Sequence, residues 1–141
     1  MEEKKYKVGY TTGVFDMFHM GHLNILRRAK EQCEYLIVGV TTDELCVSRK
    51  NKMPIIPETD RVAIVGAIRY VDKVILQNDM DKLRAVKEHG VDAVFVGSDW
   101  EGSPAWTVYE EEFASVGCTV VYLDHTEGIS SSILRERLNR E

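Results

Sequence analysis

The stretch YLIVGV, residues 35–40, carries no charge and runs apolar almost without a break. A strand of this kind is buried on both faces, which excludes a sheet with one side open to water. Four more short runs have strand character: YKVGYTT (6–12), VDKVIL (71–76), VDAVFVG (91–97) and TVVYL (119–123). Helical stretches lie between them. In LNILRRAKEQC, Leu23, Leu26, Ala29 and Cys33 share one stripe. DRVAIVGAIRY (60–70) carries a broad apolar face of Val62, Ile64, Val65, Ala67 and Ile68, with Thr59 as candidate N-cap. Further helices are predicted over 79–90, stopped by Gly90, over 104–117, from Pro104 to Gly117, and over 130–140 after a serine cap. DELCVSRKNKMPIIPETD reads as a helical turn followed by a loop. Strands and helices alternate to the end of the chain. This predicts an α/β fold, a single doubly wound domain over 1–141 with a parallel five-stranded sheet and helices on both faces.

In such sheets ligands bind beyond the carboxyl ends of the strands. The stretches in those places are TTGVFDMFHMGH, TTDEL, GSDWEG and DHTEGISS, and they hold most of the unusual polar and glycine residues. The formal net charge of −5 argues against nucleic acid as the main partner. A small phosphorylated ligand needs only a local cluster of donors. The three cysteines, Cys33, Cys46 and Cys118, match no zinc or redox spacing and read as thiols in a reducing compartment. No segment has the apolar length of a membrane span, and the first ten residues lack a signal-peptide core. A soluble cytoplasmic protein is expected.

His22 falls where the first helix begins, and a helix start offers free N–H groups to an anion. Gly21 lets a ligand approach the backbone. His19 and His22 could donate to phosphate oxygens or serve the local fold. A metal is the weaker reading, because two histidines leave zinc short of ligands. In DHTEGISSSIL, Thr126, Ser130, Ser131 and Ser132 crowd the start of the last helix, and Gly128 permits a sharp turn. That is a second anion seat, or simple capping. Arg49, Lys50 and Lys52 in SRKNK could fold over a polyphosphate gripped by both seats, or form a solvated loop.

Together these segments resemble the cytidylyltransferase family of nucleotidyltransferases. HMGH matches its H-x-G-H element, and HTEGISS its R-T-E-G-I-S-T/S element; RYVDKVI (69–75) and GSDWEG (97–102) match further stretches in the right order. The resemblance covers nearly the whole chain and implies a Rossmann-like sheet. Chain length and DWEG are most similar to the small bacterial members that act on glycerol-3-phosphate, make CDP-glycerol and form homodimers. The resemblance implies that His19, His22 and Lys50 are catalytic. It places Gly13, Val14, Phe15, Asp16, Gly21, Lys52, Asp99, His125, Thr126, Gly128, Ser130 and Ser131 at the nucleotide. Arg61 and Trp100 would face the acceptor.

The implied reaction needs no covalent intermediate. A phosphate monoester attacks the α-phosphorus of CTP and expels pyrophosphate, and the protein aligns the anions and neutralises charge. Mg²⁺ would be held mainly by the nucleotide phosphates, with no protein ligand assigned. An adenylyltransferase using ATP and a sugar phosphate is the rival enzyme, and a nucleotide-binding module without catalysis is the rival class. Val14 replaces the family's threonine and His125 its arginine. Histidine loses its charge near neutral pH where arginine does not. Activity is therefore expected to fall more steeply at alkaline pH than in an arginine enzyme. A flat rate profile from about pH 6 to 9 would remove His125 from the phosphates.

Overall fold

Side chains of β2 (Cys33–Thr41) point alternately into two apolar layers. Leu36, Val38 and Val40 enter one layer with Leu26, Ala29, Val65 and Phe95. Ile37 enters the other with Tyr10, Val86, Val94, Trp106 and Phe113. Each such side chain, fully buried, stabilises the fold by roughly 2 kcal/mol. Residues 36–40 of YLIVGV are thus covered on both faces, as their composition requires, while Tyr35 at the start of the run is exposed.

The computed structural model describes residues 4–124, 134 and 136–138. Five parallel strands form one sheet in the order β3-β2-β1-β4-β5, where β1 is Tyr6–Gly13, β3 Lys73–Gln77, β4 Ala93–Gly97 and β5 Thr119–Leu123. The helices are α1 (Met20–Gln32), α2 (Asp43–Lys50), α3 (Glu58–Gly66), α4 (Lys82–His89) and α5 (Pro104–Ala114). Strand order reverses at β1, so the ends of β1 and β4 flank the switch point.

Two aspartates set where strands begin. Asp72 accepts the Leu36 N–H at 2.8 Å and pairs with Lys30 at 2.7 Å; Asp92 accepts the Val8 N–H at 3.0 Å. Each pins a neighbouring strand, so β3 and β4 start just after them, two residues later than expected.

Five helical expectations need correction. Arg49 and Lys50 sit in the last turn of α2 instead of a loop, because Thr42 caps the helix through Leu45 N–H and Asn51 ends it at φ 55°. Only Lys52 of the three lies beyond it. Thr59 is inside α3 and caps nothing; Pro57 holds the N-cap position. That start is pinned instead by Glu58, whose Oε1 accepts the Asp43 N–H at 2.9 Å. α3 ends at Gly66 rather than residue 70, since the Ala67 N–H closes the last turn. The helix predicted over 79–90 begins at Lys82 under an Asp81 cap, and that over 104–117 stops at Ala114. The helix predicted over 130–140 lies mostly outside the described residues. No helix among the described residues is long and apolar enough to cross a membrane.

Candidate active site

The chain leaves the carboxyl end of β1 and enters α1 through both predicted histidines. His19 is the N-cap, and its Nδ1 accepts the Gly21 N–H at 3.0 Å. His22 answers it: its Nδ1 accepts the His19 N–H at 3.2 Å. This is a capping box made by two imidazoles, and it requires the three-residue spacing. The structural reading of the pair therefore holds, on the Nδ1 nitrogens. Each Nδ1 is spent as an acceptor, so the proton of the neutral ring is on Nε2.

The two rings stack with centroids 3.9 Å apart, and Phe15 and Phe18 flank His22 at 5.4 and 5.3 Å. Burial, with the charge of His19 adding and that of Asp16 opposing, pushes the His22 pKa down to about 4. Burial lowers that of His19 as well. Near neutral pH both rings are uncharged donors.

A cleft of about 400 Å³ opens at the switch point, between the ends of β1 and β4. Its walls bring together Gly13, Val14, Phe15, Asp16, His22, Lys50, Lys52, Asp99 and Trp100 of the predicted residues. Lys50 and Lys52 make no ion pair within 4 Å among the described residues. Trp100 is half exposed at the rim, on a short 3₁₀ turn after β4. His19 stacks on His22 but is not itself among the residues lining the cleft, and Gly21 lies buried in the first turn of α1. His125, Thr126, Gly128, Ser130 and Ser131 lie outside the described residues.

Arg61 does not face the acceptor side of the cleft. It is fully buried, and every direction of its guanidinium is taken: Nε donates to Ile56 O, one terminal nitrogen to Val14 O and Thr41 O, the other to Asp43. The helix that carries it packs under the β1–α1 turn, so it binds the fold together.

Sequence reasoning missed Lys82. This lysine is 8% exposed, and its Nζ donates to Thr12 Oγ1 at 2.9 Å and lies 5.7 Å from the Trp106 ring. It makes no ion pair among the described residues. Burial, and then the charge of Arg49, push its pKa down to about 8. Thr12 lines the cleft described above; Lys82 itself lines a neighbouring cavity of about 430 Å³ with Gln77, Asn78 and His89. A signal existed: Lys82 is in helical phase with buried Val86, where an apolar residue is the rule. Thr11 and Cys46 also line the cleft unannounced.

A doubly wound parallel sheet whose switch-point cleft is lined by a neutral histidine donor and two lysines fits a class: proteins that hold and react nucleotide phosphates. The sequence model of one family, described as cytidylyltransferase-like, matches residues 10–137, and the chain belongs to that family. It is 37% identical to glycerol-3-phosphate cytidylyltransferase of Bacillus subtilis over 91% of this chain and 94% of that one. It is 38% identical to an FAD synthase of Archaeoglobus fulgidus over 78% and 79%. Among solved structures, a lipopolysaccharide core biosynthesis protein from Thermoplasma volcanium matches with a TM-score of 0.70 at 28% identity, over 85% of this chain and 96% of that chain. The expected parallel α/β fold and the family resemblance both hold.

Proposed function

We propose that the protein transfers CMP from CTP to a small phosphorylated alcohol, glycerol-3-phosphate first among them, and releases pyrophosphate. One observation carries the reading. His22 has its Nδ1 locked in the cap and a neutral Nε2–H left for the cleft, which it lines together with two lysines that make no ion pair among the described residues. The likeness to the Bacillus subtilis enzyme supplies the substrates.

The acceptor's phosphate oxygen attacks the α-phosphorus, and the bond to the bridging oxygen of pyrophosphate breaks. His22, with His19 behind it, donates to the oxygens on which charge builds. Donors held in place by a cap need no reorganisation as the charge grows. Lys50 and Lys52 hold the β and γ phosphates. Lys82, with Arg49 near it, seats the phosphate of the acceptor. Asp99 and Trp100 line the side taken by the base. No group of three His, Cys, Asp or Glu among the described residues forms a metal cage, and both Asp16 oxygens already accept amide N–H groups. These residues fit Mg²⁺ that arrives on the triphosphate, where it neutralises charge. We place the enzyme in the cytoplasm as a homodimer, with exposed Ile64 on α3 and Leu76 on the edge strand β3 offering an apolar face to a second copy.

The test is pyrophosphate release with Mg²⁺, crossing CTP and ATP against glycerol-3-phosphate, other phospho-alcohols and sugar phosphates. Release with CTP and glycerol-3-phosphate is expected. Release with ATP alone would favour adenylyl transfer, the reaction class to which the FAD synthase likeness points. CTP binding without release would leave a binding module.

A further inference from the structure

The turn between β1 and α1 is bent at two places where side chains rarely allow it. Phe15 and Met17 have φ of 55° and 49°, a left-handed backbone that is strained for side chains of this size. Asp16 lies between them and is 2% exposed. Its two oxygens accept the N–H groups of Ile55 and Ile56 at 2.9 and 2.8 Å. Those amides belong to the stretch between α2 and α3, which follows directly on Lys50, the last residue of α2, and contains Lys52. Arg61 grips the same stretch from beneath, at Ile56 O, and grips the turn at Val14 O, both at 2.8 Å. The lysine stretch is thus tied to the histidine turn twice, by an anion through its amides and by a cation through its carbonyl.

A carboxylate in a cleft for a triphosphate is repulsive unless its charge is engaged elsewhere. Here it is engaged by two amides, and the strained turn is what aims it at them. We propose that Asp16 is a positioning residue. By holding Ile55 and Ile56 it sets the reach of Lys50 and Lys52 across the cleft, and it acts on the reaction through those lysines without touching substrate. The inference rests on the nucleotidyl-transfer reading above.

Two variants separate this role from direct contact. Asp16→Asn keeps the size of the side chain but points a donor at one N–H. Ile55→Pro deletes one of the two N–H donors and leaves Asp16 and the lysines in place. Each is measured alone and on top of Lys50→Met with Lys52→Met, with CTP varied, and amide hydrogen exchange is followed at Ile56. Both single changes are expected to speed exchange and to raise the KM for CTP about 10-fold. On the lysine-free background neither adds more than about 2-fold, since coupled residues are non-additive. Losses that multiply in full, or a normal KM in Ile55→Pro, would mean that Asp16 meets the ligand itself. Unchanged exchange in Asp16→Asn would refute the tie. Exchange needs no nucleotide, so a wild-type chain without transferase activity would sink the functional reading alone.

Discussion

His22→Asn and His22→Gln are expected to rank oppositely for stability and for activity. Asparagine places its Oδ1 near the position of the imidazole Nδ1, so it can still accept the His19 N–H that now bonds at 3.2 Å. It has nothing where Nε2–H was. Glutamine reaches that far position with an amide N–H but gives up the cap. Loss of a capping acceptor costs about 1 kcal/mol, or about 3 °C in a domain of this size. Loss of a preorganised donor to the reacting phosphate costs about 10²–10³ in kcat. His22→Asn should therefore melt near the wild type with almost no turnover, while His22→Gln melts lower and keeps more turnover. If His22 served the fold alone, activity would follow stability and asparagine would be the better variant. Acid supplies a second check. The folded-state pKa of about 4 lies below the ordinary 6.5, so the unfolded chain binds the extra proton between these values. Stability from this group is full above about pH 6.5 and falls as pH drops toward 4. A melting curve against pH should show that loss in the wild type, and less of it in His22→Asn.

Lys82→Met should raise stability and lower activity together. The folded-state pKa of about 8 lies below the ordinary 10.5. Between these values the unfolded chain binds more protons, so stability rises with pH across that window. At pH 7 the buried charge then costs roughly 3 kcal/mol. Methionine fills similar space without the charge. Its melting temperature is expected several degrees above wild type at pH 7, with the gap closing toward pH 10. Removing a buried cation from a bound phosphate costs about 10²-fold in kcat/KM for the acceptor, while the KM for CTP stays within about 3-fold. A group that destabilises the fold and serves the reaction is kept for the reaction. A lower melting temperature with normal acceptor kinetics would reduce Lys82 to a support for Thr12.

The elements that were legible are those whose cause is local. LIVGV (36–40) carried its two-sided burial in its own composition. The histidine pair carried its place at a helix start in its spacing, because a capping box joins residues three apart. What stayed hidden lay in contacts between distant residues. Arg61 reads equally well as an acceptor ligand until Val14, Thr41 and Asp43 are seen to occupy its guanidinium. SRKNK reads as a loop until Thr42 and Asn51 are seen to bound a helix through it.

By itself the sequence determined a parallel α/β chain, the strands that lie deepest, and a histidine pair at the first helix start. Apolar periodicity and short-range hydrogen-bond spacing are written within a few residues. The tertiary structure alone decided what the charged groups do. Asp16 meets amides 39 and 40 residues away, and Lys82 meets a hydroxyl 70 residues away. A buried charge takes its role from whatever the fold places beside it, and that neighbour is set by packing, not by position in the chain.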